Sequence, residues 1–179
     1  NRAVDLLVKV RLLNGDDQWI LLHVEVQTHV ETDHAERLAY YHAGLTWTFR
    51  RPVVTLSVLA DLNSNWMPRR HEFACGDFRV QWDFSVCKLI HHLDVEWQAD
   101  RRLPVVLAQA QVAALKTAGD PEGRYQTKWQ LVRGLYEAGY SAHEVRELFR
   151  LIDWMMHLRK DLERNFRQQL DHYEAESAM

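Results

Sequence analysis

Two acidic residues and an amide in the N-terminal part of the chain have the types and spacing of half a divalent-metal site. Asp5 lies in one segment of alternating polarity, and Glu25 and Gln27 lie two residues apart in a second such segment. Carboxylate oxygens suit Mg²⁺ or Mn²⁺, and Mg²⁺ usually binds one or two of them together with water and a phosphate substrate. These residues therefore predict metal-assisted phosphate chemistry if the fold brings them together. A solvated strand face that carries two acids by chance is the alternative interpretation.

The segments that carry these residues alternate with a period of two. Even positions are apolar from Val4 to Leu12, and they are apolar again from Ile20 to Val26. The turn-forming sequence Asn-Gly-Asp-Asp at residues 14–17 separates the two segments. The pattern predicts a β-hairpin whose apolar residues share one face, with Asp5, Glu25 and Gln27 on the opposite face.

Register decides whether the two acids meet. A three-residue loop over residues 14–16 would place position 5 directly across from position 25. Side chains at opposed positions have Cβ atoms about 4.5–5.5 Å apart, so the carboxylates of Asp5 and Glu25 would converge beside Gln27. Like charges at that separation are destabilising unless a cation or a proton lies between them. The predicted register therefore favours a metal ion held by Asp5 and Glu25.

The segments that follow predict a helix and an interior strand. Asp33 and Glu36 have the spacing of a capping box, and apolar residues then recur with a helical period. We expect a helix over residues 34–49, which Pro52 ends. Residues 53–60 form a continuous apolar run of strand length, typical of a strand covered on both faces. Residues 61–70 have the composition of a loop, and residues 78–89 predict a further strand.

Beyond residue 100 the pattern becomes helical. Helices are predicted from about residue 104 to 116, from the break at residues 119–123 to 136, and from a capping box at Ser141 and Glu144 onward. The last segment carries an apolar stripe at helical spacing, formed by Leu158, Leu162, Phe166, Leu170 and Tyr173. Such a stripe is more often intramolecular core, with a homodimer through this region as the alternative. We expect an α/β core over residues 1–100 and an α-helical C-terminal region over residues 101–179.

Composition restricts the classes of function. The 179 residues carry a formal charge of −3, which excludes a nucleic-acid binder that works by bulk positive charge. Arginine pairs at 50–51, 69–70 and 101–102 leave a local DNA-backbone track open, with solvated ends of elements as the simpler alternative. The most apolar stretch, residues 103–115, is too short to cross a bilayer, so we expect no membrane partner. Two cysteines outside any CxxC pattern suit a reducing compartment, and we expect a cytoplasmic protein.

Several segments resemble one known family in their order and spacing. They are Val4–Val10, His23–Gln27, Glu36–Tyr41, Pro52–Val54 and Leu59–Asp61, followed in the helical region by Lys128–Tyr140 and Leu148–Leu158. Together they resemble the family of recombination-promoting nucleases (Rpn) and YhgA-like transposases, which belongs to the PD-(D/E)XK nuclease superfamily. The likeness extends over nearly the whole chain, and it rests on the order of the segments rather than on the Glu-x-Gln element alone.

The resemblance implies a Mg²⁺-dependent DNA endonuclease connected with DNA recombination or mobile elements. It implies Asp5 and Glu25 as ligands of Mg²⁺ or Mn²⁺, and Gln27 in the position that usually holds lysine. A neutral amide cannot act as a general base, so we expect Gln27 to orient the nucleophilic water. Arg37 and Tyr41 lie four residues apart on one helix face, where we expect them to contact a phosphate or to support the carboxylates. A salt bridge from Arg37 to Glu25 or to a surface carboxylate is the alternative interpretation.

The same resemblance implies a restriction-endonuclease-like mixed sheet core. Nucleases of this superfamily commonly carry an additional acidic residue on a helix before the aspartate-bearing strand, and we expect such a helix upstream of Asn1. DNA is the implied partner. A catalytically inactive nuclease-fold module that binds DNA or protein is the competing interpretation, because a fold can persist without its chemistry.

Overall fold

A computed structural model gives the structure of the chain and describes residues 6–11, 17–92 and 102–177. The chain divides into two units, Asn1–His91 and His92–Met179. In the described residues, the first unit contains strands, one long helix and a 3₁₀ turn over Leu89–His92, and the second consists of helices. The mixed α/β class predicted from the change of period is confirmed.

The two alternating segments at the N-terminus form the predicted hairpin. β1 (Leu6–Arg11) pairs antiparallel with β2 (Asp17–Gln27), and Leu6 lies opposite Leu22. The predicted register is wrong by two residues along the strand, because it would pair Leu6 with Val24. The last pair is Arg11 with Asp17, so five residues separate the strands where a loop of three was expected. Because the register is displaced by an even number of residues, each side chain of β1 still lies on the predicted face of the sheet.

The sheet continues on the other side of β2. β3 (Val53–Leu59) and β6 (Ser85–Lys88) run parallel to it, in the order β1-β2-β3-β6. The prediction of an interior strand at residues 53–60 is confirmed, since β3 lies between two partners. A parallel pair requires a crossover connection, which the helix α1 (His34–Phe49) supplies between β2 and β3.

The first and last residues of α1 agree with the prediction, but the predicted capping interaction at its N-terminus is absent. Asp33 precedes the helix, but its side chain makes no capping hydrogen bond. The predicted capping box at Asp33 is therefore wrong. Its backbone has φ −96° and ψ 6°, which is outside the extended region that a capping residue usually adopts. At the other end, Arg50 takes the left-handed conformation with φ 49°, and its N–H donates to the carbonyl of Thr46.

A separate two-stranded sheet interrupts the second half of this unit. β4 (Arg70–Cys75) pairs antiparallel with β5 (Phe78–Asp83). The single strand predicted over residues 78–89 is wrong, because the chain changes sheets at Phe84. The N–H of Phe84 donates to the carbonyl of Arg69, and its ring packs with Leu38 and Ala39 of α1. Burial of this ring fixes the point at which β5 ends and β6 begins.

The C-terminal unit contains four described helices: α2 (Leu103–Lys116), α3 (Pro121–Glu137), α4 (Ala142–Met155) and α5 (Lys160–Ser177). Their number and approximate bounds agree with the prediction, except that Leu158 of the predicted stripe lies before the last helix, which begins at Lys160. Ser141 and Glu144 form a reciprocal capping box, and Gly139 takes a left-handed φ of 79° after α3. None of the described helices combines the length and the hydrophobicity that a membrane span requires.

The helices of this unit share one apolar core. The residues buried most completely are Ala110, Val132, Leu135, Ile152, Met156 and Phe166. Leu158 and Leu162 of the predicted stripe belong to the same core, which gives the stripe its intramolecular role. Lys128 is fully buried beside it and pairs with Asp153, and its ammonium group lies 4.9 Å from the centre of the Phe166 ring.

Ser141→Ala is expected to lower the free energy of unfolding of the C-terminal unit by about 0.5–2 kcal/mol, because the hydroxyl accepts the N–H of Glu144. Asp33→Ala is the matched contrast and is expected to cost less than about 0.5 kcal/mol. Urea denaturation followed by circular dichroism measures both. An equal loss for the two variants would contradict the difference in capping.

Candidate functional site

The polar residues of β2 lie on the face of the sheet that α1 covers. In the parallel register, His23 lies beside Thr55, Glu25 beside Ser57 and Gln27 beside Leu59. His23 and Gln27 are buried, as are Thr55, Ser57 and Leu59, whereas Val26 on the other face is 59% exposed. α1 therefore covers His23 and Gln27 on this face, while Glu25 between them stays partly exposed.

The helix α1 contributes polar groups that match those of the strands. The imidazole Nε2 of His34 lies 2.8 Å from the hydroxyl of Ser57, and Nδ1 of His42 lies 3.1 Å from the hydroxyl of Thr55. Tyr41 packs edge-to-face against the ring of His23, with the ring centres 5.8 Å apart. Buried polar groups need such partners, because an unsatisfied one costs about 1–3 kcal/mol.

Arg37 is the central cation of this face. One nitrogen of its guanidinium group donates to the amide oxygen of Gln27 at 3.0 Å, and the other forms a close ion pair with Glu31. The first nitrogen also lies 3.8 Å from Oε1 of Glu25. These ion pairs are the alternative interpretation of Arg37, a salt bridge to Glu25 or to another carboxylate, and they also place Arg37 beside Glu25 to support it. Contact of Arg37 with a phosphate stays a prediction. The hydrogen bond from Arg37 holds the pKa of Glu31 below its ordinary value.

Gln27 is engaged at both ends of its amide group. Its oxygen accepts from Arg37, and its nitrogen donates to the backbone carbonyl of His29 at 3.0 Å. The residue is buried. In this arrangement Gln27 fixes the guanidinium group of Arg37 and the chain that follows β2.

The carboxylate of Glu25 lies near two neighbouring side chains but forms no short hydrogen bond with either. Its two oxygens lie 3.8 Å from the guanidinium group of Arg37 and 3.8 Å from Nε2 of His23. Both distances exceed that of a good hydrogen bond. Its side chain is 29% exposed, so solvent reaches it. Because Glu25 and Glu31 share one guanidinium group, one negative charge remains among these three residues.

The metal site predicted from the sequence is only partly described. Asp5 lies outside the described residues, and Glu25 is the predicted ligand that the structure places. Within residues 6–11, 17–92 and 102–177, no three His, Cys, Asp or Glu side chains form a group that could hold a metal ion. A single half-exposed carboxylate suits Mg²⁺ as one of the one or two that this ion usually takes. The donor chemistry of Glu25 therefore fits a hard cation.

Sequence reasoning missed several polar residues of this face. His34, His42, Thr55 and Ser57 are all within hydrogen-bonding contact across it, yet their segments were assigned only as helix and strand. The available signal was the helical spacing of His34, Arg37 and Tyr41 together with the alternation of Thr55 and Ser57. Neither pattern alone reveals that the two faces meet.

A buried ion pair lies at the carboxyl end of the same sheet. Lys88 at the end of β6 pairs with Asp61, two residues beyond β3, and both side chains are almost fully buried. The ammonium group of Lys88 lies 5.3 Å from the centre of the Trp66 ring, which in turn lies 5.5 Å from the ring of His34. Each charge of the pair neutralises the other, so the pair leaves the net charge around Glu25 unchanged.

No family model, no curated protein and no solved structure matches this chain.

Acidification is expected to destabilise the N-terminal unit through His34, which is buried, and His42, which is partly buried. Burial, followed by the charge of Arg37, holds the pKa of His34 below its ordinary value, and burial also lowers the pKa of His42. The unfolded chain then binds more protons, so stability is fully present above the unfolded pKa of about 6.5 and is lost as pH falls below it. The measurement is urea denaturation at intervals from pH 7.5 to 5.5.

His34→Gln removes one of these titrating groups and is expected to reduce the loss of stability over that pH range. His42→Gln is expected to act in the same direction. The exposed His143 provides a control, since His143→Gln removes a histidine that is not buried. The same pH dependence in the parent and in both buried-site variants would show that these histidines do not carry it.

Proposed function

We propose that the N-terminal unit is a restriction-endonuclease-like core that hydrolyses DNA phosphodiester bonds with Mg²⁺ or Mn²⁺. The observation that carries the proposal is the state of Glu25. Its carboxylate is partly exposed at the end of β2, without a close hydrogen bond to a described side chain, beside an arginine that Glu31 already pairs. A carboxylate in that state is available to a cation.

The order of elements supports the proposal. The segments of the N-terminal unit that resemble the nuclease family fall on the hairpin, on the first half of α1 and around β3, which are the elements that surround Glu25. The resemblance adds Asp5 as the second carboxylate. The connection with recombination or mobile elements, and DNA as the partner, rest on the resemblance.

Each described residue has a defined task in this proposal. Glu25 and Asp5 would hold the metal ion, which when bound supplies a water of lowered pKa and stabilises negative charge on the phosphate. Arg37 offers a guanidinium group to a phosphate oxygen while it remains held by Gln27. Tyr41 fixes the ring of His23, which lies beside Glu25. Gln27 acts as a positioning residue for Arg37.

A second candidate function is a nuclease-fold module that binds DNA or protein without cleaving. One observation favours it. The contacts of Arg37 with Gln27, Glu25 and Glu31 are those of a residue that stabilises the fold. A guanidinium group that serves two carboxylates neutralises part of the charge that a metal ion would otherwise balance. The two candidates differ in whether DNA binding requires the divalent ion.

Glu25→Gln is expected to reduce nicking of supercoiled plasmid by about 100-fold or more in Mg²⁺ or Mn²⁺, because the substituted amide lacks the negative charge that binds the ion. Glu36→Gln is the matched control. Glu36 is an exposed acid on α1 whose carboxylate accepts a hydrogen bond from Tyr40, and its loss is expected to leave nicking unchanged. Gel electrophoresis of the nicked and supercoiled forms measures the rate.

Metal binding gives a readout besides activity. Titration with Mn²⁺, followed by its electron paramagnetic resonance signal, is expected to show weaker binding in Glu25→Gln than in Glu36→Gln. If the unmodified chain fails to nick plasmid and binds it equally well with EDTA, the binding-module function replaces the nuclease. Equal nicking by both variants would remove Glu25 from the reaction.

A further inference from the structure

A second feature of the N-terminal unit is an open cleft between the C-terminal half of α1 and the β4–β5 hairpin. It encloses about 710 Å³ and is lined by His42, Ala43, Thr46, Trp47, Arg50 and Trp82. Two indole rings, one imidazole and one guanidinium group thus face a single space. Planar side chains with one cation form a surface suited to a planar, negatively charged ligand.

The aromatic groups of this region are unusually exposed. Trp47 is 80% exposed and Tyr40 is 62% exposed. The ring of His71 lies between Tyr40 and Trp82 of the cleft lining, with ring centres 6.4 Å from Tyr40 and 5.9 Å from Trp82. Tyr40 and Trp47 lie seven residues apart on α1 and therefore on the same side of the helix. Large exposed aromatic groups that share one side of a helix favour a site of interaction.

Arg50 occupies its position at a conformational cost. It adopts a left-handed backbone conformation, where glycine is the usual residue at a helix C-terminus. Its guanidinium carbon lies 6.0 Å from the centre of the Trp47 ring. Strained non-glycine backbone often accompanies a functional role. Here it places a cation beside the most exposed ring of the cleft.

The charges around the cleft favour an anionic ligand. The nearby acids are engaged: Glu36 accepts from Tyr40, Asp83 pairs with Arg70, and Glu72 pairs with Arg79. Among the described residues, neither Arg50 nor Arg51 takes part in an ion pair. Two positive charges at the end of α1 therefore stay uncompensated within the described part of the chain. An arginine-bearing partner would be repelled here.

We infer that this cleft binds unpaired nucleotides of single-stranded nucleic acid. Bases stack on Trp47 and in the cleft beside Trp82, and the phosphates that link them meet Arg50 of the cleft lining. A duplex keeps its bases stacked inside and cannot present their faces to an indole ring. This inference rests on the proposed function, because that function identifies the nucleic acid as DNA. It adds that the N-terminal unit binds single-stranded segments of that DNA.

The test is binding of a fluorescein-labelled oligo(dT) 20-mer, measured by fluorescence anisotropy in EDTA at fixed salt. Trp47→Ala is expected to weaken binding about 5- to 100-fold, since base stacking on one aromatic side chain contributes that range. Trp154→Ala is the matched control, because Trp154 is also 80% exposed but lies in the C-terminal unit. Arg50→Gly is expected to weaken binding while it relieves the left-handed backbone, so poor folding cannot explain the loss.

The outcomes separate this inference from the proposed function. Equal affinities of Trp47→Ala and Trp154→Ala for oligo(dT), or equal binding of a 20-bp duplex by the parent, would overturn the inference even if Glu25→Gln abolishes nicking. Loss of oligo(dT) binding in Trp47→Ala alone would support it even if the chain nicks nothing. Concentration-dependent self-association that Trp47→Ala abolishes, without binding of oligo(dT), would assign the cleft to a second copy of the chain and overturn the inference.

Discussion

A long helix covers the polar face of the sheet in the N-terminal unit, and the other features of that unit depend on this packing. Since α1 lies over His23, Gln27, Thr55 and Ser57, each buried polar group must find a partner within the interface. Arg37 is the partner of several of these groups, because its guanidinium group contacts Gln27 and Glu31 and lies 3.8 Å from Glu25. These polar pairs therefore specify the position of α1 on the sheet. An apolar interface, which lacks directional bonds, would specify that position less strictly.

The same pairing bears on chemistry. A guanidinium group between two carboxylates stabilises the fold without a metal ion, and it leaves Glu25 less tightly held than Glu31. The carboxylate that is held less tightly is the one on which the nuclease hypothesis depends. Both terminal nitrogens of Arg37 are engaged with neighbouring side chains, so its observed role is to hold this part of the fold together.

The helix α1 also joins the covered face to the aromatic cleft. His42 contacts Thr55 on one side and lines the cleft on the other, so the two regions share a side chain. Trp47 and Arg50 follow on the last turn and at the end of the same helix. Ligand contacts at that end would act on an element whose other end carries Arg37. The fixed register of α1 on β3 sets the separation between these groups.

The sequence by itself determined the local elements: the hairpin, α1, the interior strand β3 and the four helices of the C-terminal unit. These follow from periods of two and 3.6 residues and from cap and break residues, which act over a few positions. Only the tertiary structure decided which face of β2 is covered, because an alternating pattern defines two faces without saying what packs on either. It also decided the register of β1, the division of the strand at Phe84 and the missing cap at Asp33, which depend on loop length, on burial of one ring and on backbone angles. The partners of Arg37 come from β2 and from the segment that joins β2 to α1, and they meet Arg37 only when that segment turns the helix back over the strand.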